Sequence, residues 1–310
     1  MNQEKKRVAL IITTYSQGEL LIKFLDSIIK KTKYPNYKIY FIDDSSNGEI
    51  GKRIKKRFPT IDVQINKENL GCSKSYNLGM KRAIKQYNPG YILLLNDDME
   101  IIKEGWLEKM TEVGELNKNA GILGCRVLYP DKSAQWIAEK GRIKSYMKKG
   151  IFVKSIEMRK NQEVSEIIGC CFLIKKEVID RIGFWDEKFS PAYGEESDYC
   201  FRARMAGFRL IYVGETEIVH HGSSSTNKLD PDWIWFLKKR NAIRLEWLNH
   251  PPISILKFTM IHFLSAISNK QPLNKLNLLG KAYSKNIKDL NEIRQKRKER
   301  TSWKDKKKQI

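Results

Sequence analysis

Between residues 7 and 98, short apolar runs alternate with amphipathic stretches, and this alternation limits the chain more than any other feature of it. Runs of this length are short for helices. They are also too continuously apolar for strands with one wet face, so they read as strands buried on both sides of a parallel sheet. Residues 7–14, 37–43, 61–65 and 91–95 are predicted to be such strands. Residues 19–31, 50–58 and 73–87 are predicted to be helices, the first carrying Leu20, Phe24 and Ile28 on one stripe. Strand and helix in alternation predict a doubly wound α/β half.

After Asp98 the rhythm changes. A helix is expected near 104–116, a strand over 121–128, a polar stretch to about 166, a strand over 167–174 and a helix from 175. Such an order predicts antiparallel strands added to one side of the sheet. Residues 131–165 carry many lysines and few apolar side chains, which suggests a mobile insertion over a site. A chain of 310 residues accommodates one large domain with an appendage. Residues 1–250 are read as the catalytic domain, and 251–310 as an amphipathic helix followed by a basic tail. The apolar run 253–267 is interrupted by Lys257 and His262 and is shorter than the roughly 20 residues a spanning helix needs. It reads either as an interfacial helix or as one packed on the domain.

The net charge is +22, and residues 281–310 hold 12 Lys/Arg against 4 Asp/Glu. A charge of that size attracts polyanions. No nucleic-acid motif is present, and the basic residues are not interleaved with aromatics, so nucleic acid is set aside. An anionic membrane surface remains a candidate partner, while a solvated Lys-rich face accounts for part of the charge. The five cysteines form no CxxC pair and sit mostly in apolar runs, as reduced core thiols do. The stretch 8–12 is too short for a signal-peptide core. These features place the protein in the cytoplasm, or peripherally at the inner face of the cell membrane.

Three carboxylate clusters carry the chemistry: Asp43–Asp44, Asp97–Asp98, and Glu195–Glu196 with Asp198. The first two follow apolar strands, and open α/β sheets bind ligands beyond the carboxyl ends of their strands. Any one pair could merely cap the next helix. Three together are hard to explain that way.

In order along the chain stand IITTY at 11–15, FIDDSS at 41–46, NLGCSKSYNLG at 69–79, LLNDD at 94–98, GFWDEKFSPAYGEESD at 183–198 and VHHGSSS at 219–225. This set resembles family 2 glycosyltransferases over about residues 7–250. Its layout is most similar to rhamnosyltransferase-like and galactofuranosyltransferase-like enzymes of surface polysaccharide assembly. The resemblance implies a GT-A fold, an α/β Rossmann-like mixed sheet flanked by helices. It also implies inverting transfer from a UDP- or dTDP-linked sugar, a nucleotide diphosphate donor, to a hydroxyl of a glycan or lipid-linked acceptor, with Mg²⁺ or Mn²⁺.

The same resemblance assigns residues. Thr13 and Asp44 would meet the nucleobase, with Tyr15 beside them, although a strand-end hydroxyl such as Thr13 also closes readily onto backbone. Asn69 and Asn77 flank a glycine-rich turn into a helix, a setting suited to phosphate. Asn96, Asp97 and Asp98 occupy the DxD position, with Asp98 and His220 as metal ligands. Asn96 stands where the motif's first Asp belongs, which removes a charge and leaves a ribose contact. Trp185 and Asp186 would line the acceptor, unless Trp185 belongs to the core. Glu195 and Glu196 match the acidic dyad, and Glu196, where the family usually has Asp, would be the base. Two rival readings are a nucleotidyltransferase and a nucleotide-sugar-binding protein without transfer activity. The dyad and the late histidine argue against the nucleotidyltransferase, which needs neither.

Overall fold

The computed structural model describes residues 5–15, 18–135, 159–222 and 229–307. The first half runs β1 (Val8–Thr14), α1 (Glu19–Lys31), β2 (Tyr37–Asp43), α2 (Glu49–Arg57), β3 (Asp62–Ile65), α3 (Cys72–Tyr87) and β4 (Tyr91–Leu95). The four strands are parallel, ordered β3-β2-β1-β4. Their continuous apolar runs have the cause inferred above, since both faces are covered. Val8, Leu10 and Ile12 point into one core with α1, while Ala9 and Ile11 point into a second core with α3. In α1, Leu21, Ile22, Phe24, Leu25 and Ile28 are buried, each contributing about 1.5–3 kcal/mol. Helix α3 approaches β1 closely because residue 79 is glycine. A Cβ there would lie 2.4 Å from Ile11 Cγ2.

The second half continues with β5 (Met99–Glu100), α4 (Trp106–Leu116), β6 (Ala120–Leu128), β7 (Gln162–Val164), β8 (Cys171–Lys175), α5 (Lys176–Ile182), α6 (Glu195–Met205) and β9 (Arg209–His220). The sheet extends past β4 in the order β8-β6-β9-β5, with β7 also paired to β9. β8 runs antiparallel to both β4 and β6, so the expected mixed sheet is present. Its limits differ from the predicted 167–174 because pairing with β4 decides them, Leu95 opposite Cys171 and Tyr91 opposite Lys175. Most of the expected insertion, 136–158, lies outside the described residues. Its far end is not loop. Residues 162–164 form β7 against β9, where the backbone groups find ladder partners despite a polar sequence.

The C-terminal region corrects the expectation of one amphipathic helix and a tail. Four helices follow residue 230: α7 (Pro231–Asn249), α8 (Pro252–Ile267), α9 (Pro272–Lys288) and α10 (Leu290–Lys307). Phe236, Ile243, Ala266, Leu279 and Ala282 make their shared core, and Phe189, Leu248 and Ile293 join α7 and α10 to the segment before α6. No helix among the described residues is long and apolar enough to cross a membrane.

Candidate active site

The ends of β1, β2 and β4 bring the first two carboxylate clusters together. Asp43 and Asp44 divide the work at the end of β2. Asp43 is fully buried and accepts from Ser45 N at 2.9 Å and Gly51 N at 2.6 Å, closing the start of α2. Asp44 faces the loop before α3, its Oδ1 accepting from Asn66 Nδ2 at 2.8 Å and Leu70 N at 2.9 Å, its Oδ2 from Gly71 N at 2.9 Å. A carboxylate accepts about four hydrogen bonds, so Asp44 retains room for one more. Asn69 Oδ1 also takes Gly71 N, at 2.8 Å.

Gly71 is required on two counts. Its φ is +77°, and a Cβ would lie 2.6 Å from Pro191 Cα. Cys72 N donates to Pro191 O at 2.7 Å, which holds the start of α3 against the segment leading into the dyad. Asn77 departs from its expected place at the phosphate. It is 1% exposed, donates to Trp185 O at 2.9 Å and to Glu187 Oε1 at 3.0 Å, and accepts from Trp185 N at 3.0 Å. All its groups are spent on fastening α3 to residues 185–187.

Beyond β4, Asp97 Oδ2 accepts from Thr14 Oγ1 at 2.5 Å. Burial pushes the Asp97 carboxyl up to about 7, Thr14 offsets this in part, and Asp98 adds to it. Thr13 points to the other side of β1, beside the Tyr76 hydroxyl, which donates to Leu95 O at 2.9 Å and lies 3.3 Å from Asn96 Oδ1. Tyr15 is half exposed at the strand end.

Asp98 is buried, and its Oδ1 lies 3.1 Å from His220 Nε2, because β5 pairs with the end of β9, Met99 opposite His220. His221, just past the end of β9, approaches Glu100 instead, at 3.7 Å. Gln135 fixes the His220 ring. Its Nε2 donates to His220 O at 2.5 Å, which leaves its Oε1 2.7 Å from Nδ1. In the neutral ring Nδ1 keeps its proton on Gln135, and the Nε2 lone pair lies beside Asp98 Oδ1 and 3.4 Å from the Asn96 amide nitrogen. Asp98 Oδ1 has no donor in hydrogen-bond geometry. Two electron-rich atoms face each other there, an arrangement a divalent cation relieves. Among the described residues no three His, Cys, Asp or Glu side chains converge on one point. This pair would therefore need ligands from phosphate and water.

The dyad opens α6, entered through Gly194 at φ +90°. Glu195 is 6% exposed and accepts from the Cys72 thiol, while its Oε2 is buried without a partner. Glu196 is only half-buried and packs on Gly169, where a Cβ would lie 3.5 Å away. The adjacent Cys170 links the clusters: burial and Cys171 hold its thiol well above the ordinary range, and the charges of Asp98 and Glu196 act in the same direction. Burial pushes Glu195 up to about 7. Burial and then the charge of Glu195 push Glu196 up to about 8. Among the described residues no cation pairs with either carboxyl.

Trp185 and Asp186 are placed elsewhere than expected. Trp185 is 4% exposed and packs edge-on against Tyr76 and Phe172. Asp186 accepts from Arg244 Nη2 at 2.8 Å and Lys296 Nζ at 2.8 Å. Burial alone would raise its carboxyl, but Arg244 and Lys296 hold it below the usual range. With Asn77 and Lys296, Trp185 and Asp186 line a cavity of about 760 Å³ between α3, residues 184–190 and α10, apart from the carboxylate site. Asp198 is fully buried by Arg202 Nε at 2.8 Å, Arg300 Nη1 at 2.7 Å and Asn249 Nδ2 at 3.1 Å. Gln135, Tyr76, Asn66, Cys72 and Gly169 escaped sequence reasoning. Cys72 and Tyr76 stand inside the motif at 69–79 but nothing in it marks them apart, and each of the five matters only through a partner distant in the chain. The last residues of VHHGSSS, 223–225, lie outside the described residues.

The site can be set beside known proteins. The family model described as Glycosyl transferase family 2 matches residues 9–183. The O-antigen biosynthesis protein RfbC of Myxococcus xanthus is 22% identical over 235 residues, 71% of this chain, and the chain spans only 18% of that protein. The N-acetylglucosaminyl-diphospho-decaprenol L-rhamnosyltransferase of Mycobacterium tuberculosis is 23% identical over 249 residues, 72% of this chain and 78% of that protein. Among solved structures, GalNAc-T7 with UDP, GalNAc and Mn²⁺ superposes with a TM-score of 0.65 at 15% identity, covering 95% of this chain and 55% of that one. That likeness supports the GT-A fold.

Proposed function

The chain belongs to glycosyl transferase family 2, and from that premise we propose that it transfers a sugar from a nucleotide diphosphate donor to an acceptor hydroxyl with inversion at the anomeric carbon. The observation that carries this reading is the dyad: two adjacent carboxyls at one helix start, both raised and without a cationic partner among the described residues, with Glu196 packed on Gly169 beside Cys170, whose thiol is pushed up by the charges of both Glu196 and Asp98. Unpaired buried carboxylates are costly for a fold and useful to a reaction.

Glu196 is the base in this proposal. It is the more accessible of the pair, and its raised pKa suits proton uptake from a hydroxyl near neutral pH. Glu195 lies behind it, held by Cys72, and its charge raises the basicity of its neighbour. Attack from the Glu196 side on a carbon whose diphosphate departs on the opposite face inverts the centre. Asp44 has one acceptor position left for a base N–H, with Thr13 and Tyr15 at the neighbouring strand end. Asn69 holds the turn before α3, and Asn96 and Asp97 lie where a ribose would reach the end of β4. Asp98 and His220 would hold Mg²⁺ or Mn²⁺, which when bound supplies positive charge for the leaving diphosphate.

The donor class and a glycan or lipid-linked acceptor of cell-surface polysaccharide synthesis are consistent with the relatives, two of which are named for O-antigen biosynthesis and for transfer onto a decaprenol-linked sugar. The test combines two measurements. Calorimetric titration of UDP, dTDP and GDP with Mn²⁺ and with chelator should show affinity that needs the ion and falls in His220→Ala. NMR of the product formed from the donor that binds should show the inverted anomer; a retained anomer rejects the mechanism.

A further inference from the structure

We propose that the outward face of α8 is a docking surface for an anionic lipid bilayer. Helix α8 is amphipathic in the wrong sense for a soluble domain. Ile253, Leu256, Met260, Ile261, Phe263, Leu264 and Ile267 are 75%, 68%, 58%, 47%, 47%, 51% and 42% exposed. At 100° per residue these seven side chains and Lys257 fall within an arc of about 160°. The inward arc is mixed: Ala266 is buried in the helical core and Phe258 packs on His250, with polar groups among them. His262 is buried, with Nε2 3.0 Å from both carboxylate oxygens of Glu246, and Ser265 accepts from Lys239 at 3.1 Å. Leu273, at the start of α9 and 82% exposed, continues the patch.

Charge identifies what covers this face. From Trp247 to Lys288 the chain has no Asp or Glu and six lysines, although the whole chain carries 36 acidic residues. Lys257, Lys270, Lys281, Lys285 and Lys288 are exposed. A second copy of the chain would bring lysines to lysines with no acid to answer them, so the face is not self-complementary. A bilayer with anionic headgroups answers both features, since its acyl boundary takes the apolar arc and its phosphates take the lysines.

Part of the charge of the basic helix α10 is turned inward, although Arg294 and Lys298 are exposed. Lys296 and Arg300 are drawn inward onto Asp186 and Asp198, and Arg297 onto His250 O at 2.7 Å. On its other side α7 holds the dyad segment, Asn241 donating to Phe189 O, Ala192 O and Tyr193 O. One helix therefore separates the proposed membrane face from the loop that enters α6. The inference stands whether or not the chain transfers a sugar.

The test is co-sedimentation of the full chain with vesicles of two parts phosphatidylcholine to one part phosphatidylglycerol, and with phosphatidylcholine alone. The wild type should partition onto the mixed vesicles. Leu256→Glu, Met260→Glu and Leu264→Glu together should weaken this about tenfold or more at an unchanged melting temperature. Lys257→Glu with Lys270→Glu should remove the preference for phosphatidylglycerol. Should the triple variant melt early, Leu256→Ser alone repeats the test at an exposed site. A wild type that stays in the supernatant, a stably folded variant that binds like wild type, or a dimer that the triple variant dissolves without any vesicle binding each overturns the proposal.

Discussion

Between residues 186 and 198 the chain buries three carboxylates and half-buries a fourth, Glu196, and treats them as two pairs in opposite ways. Asp186 and Asp198 are enclosed by Arg244 and Lys296 and by Arg202 and Arg300. Burial works against both, yet the guanidinium groups bring Asp198 far below the ordinary carboxylate range and Asp186 moderately below it. Glu195 and Glu196 receive no cation among the described residues, and burial raises them. The difference lies in the partners, since the aspartates bind the C-terminal helices to the domain and the glutamates remain as groups that can exchange a proton. A buried charge that is matched builds structure; one left unmatched is available for chemistry.

The contrast is broken most directly by removing one member of each pair. Glu196→Gln should lower transfer by about 10²–10⁴-fold while donor affinity holds and the fold is not destabilised. Asp198→Ala should do the reverse, costing about 3–5 kcal/mol of stability because two buried guanidinium groups lose their counter-charge. Loss of activity without loss of stability in Asp198→Ala, read by turnover beside denaturant melts, would dissolve the distinction.

A smaller effect separates the pairs by pH. The pair's titration near 7 to 8 sets the population of the base, so kcat/KM should climb about tenfold per unit below that range and level off above it. Glu196→Gln should flatten the profile. A wild-type profile already flat from about pH 6 to 8 would mean the dyad is not the titrating base.

Stability should show the opposite signs. A raised carboxyl favours the protonated folded form, so the contribution of Glu195 and Glu196 is complete below the ordinary carboxylate range and lost as pH rises through about 7 to 8. Glu195→Gln should therefore melt about 2–5 °C above wild type at pH near 8 and level with it near 4. For Asp198 the folded value is depressed, so its contribution is present above the ordinary range and disappears only in strong acid. The least effect is expected from Lys81→Ala, whose exposed pairing with Glu187 at 3.8 Å should contribute under about 0.5 kcal/mol.

What was legible in the sequence depended on local repetition. The parallel strands and crossover helices of residues 7–98 were readable because burial on both faces writes a continuous apolar run. The carboxylate clusters were visible as pairs, but not which member did what. Asp43 caps a helix and Asp44 holds a loop, a division that depends on side-chain direction at adjacent positions. Trp185 and Asp186 read as acceptor contacts because aromatic and acid side by side suit a sugar. A guanidinium 58 residues away and an ammonium 110 residues away closed Asp186 instead.

The sequence by itself determined the doubly wound half, the order of the chemical motifs along it and the excess of lysine at its end, since each is a matter of composition or short-range period. Only the tertiary structure decided that Gln135 would orient His220, that α10 would turn Arg297 and Arg300 inward, and that α8 would show its apolar face to the outside. The physical reason is the same in all three. A helix or a ring carries its polarity wherever it goes, and which side meets water depends on neighbours that the chain brings in from far away.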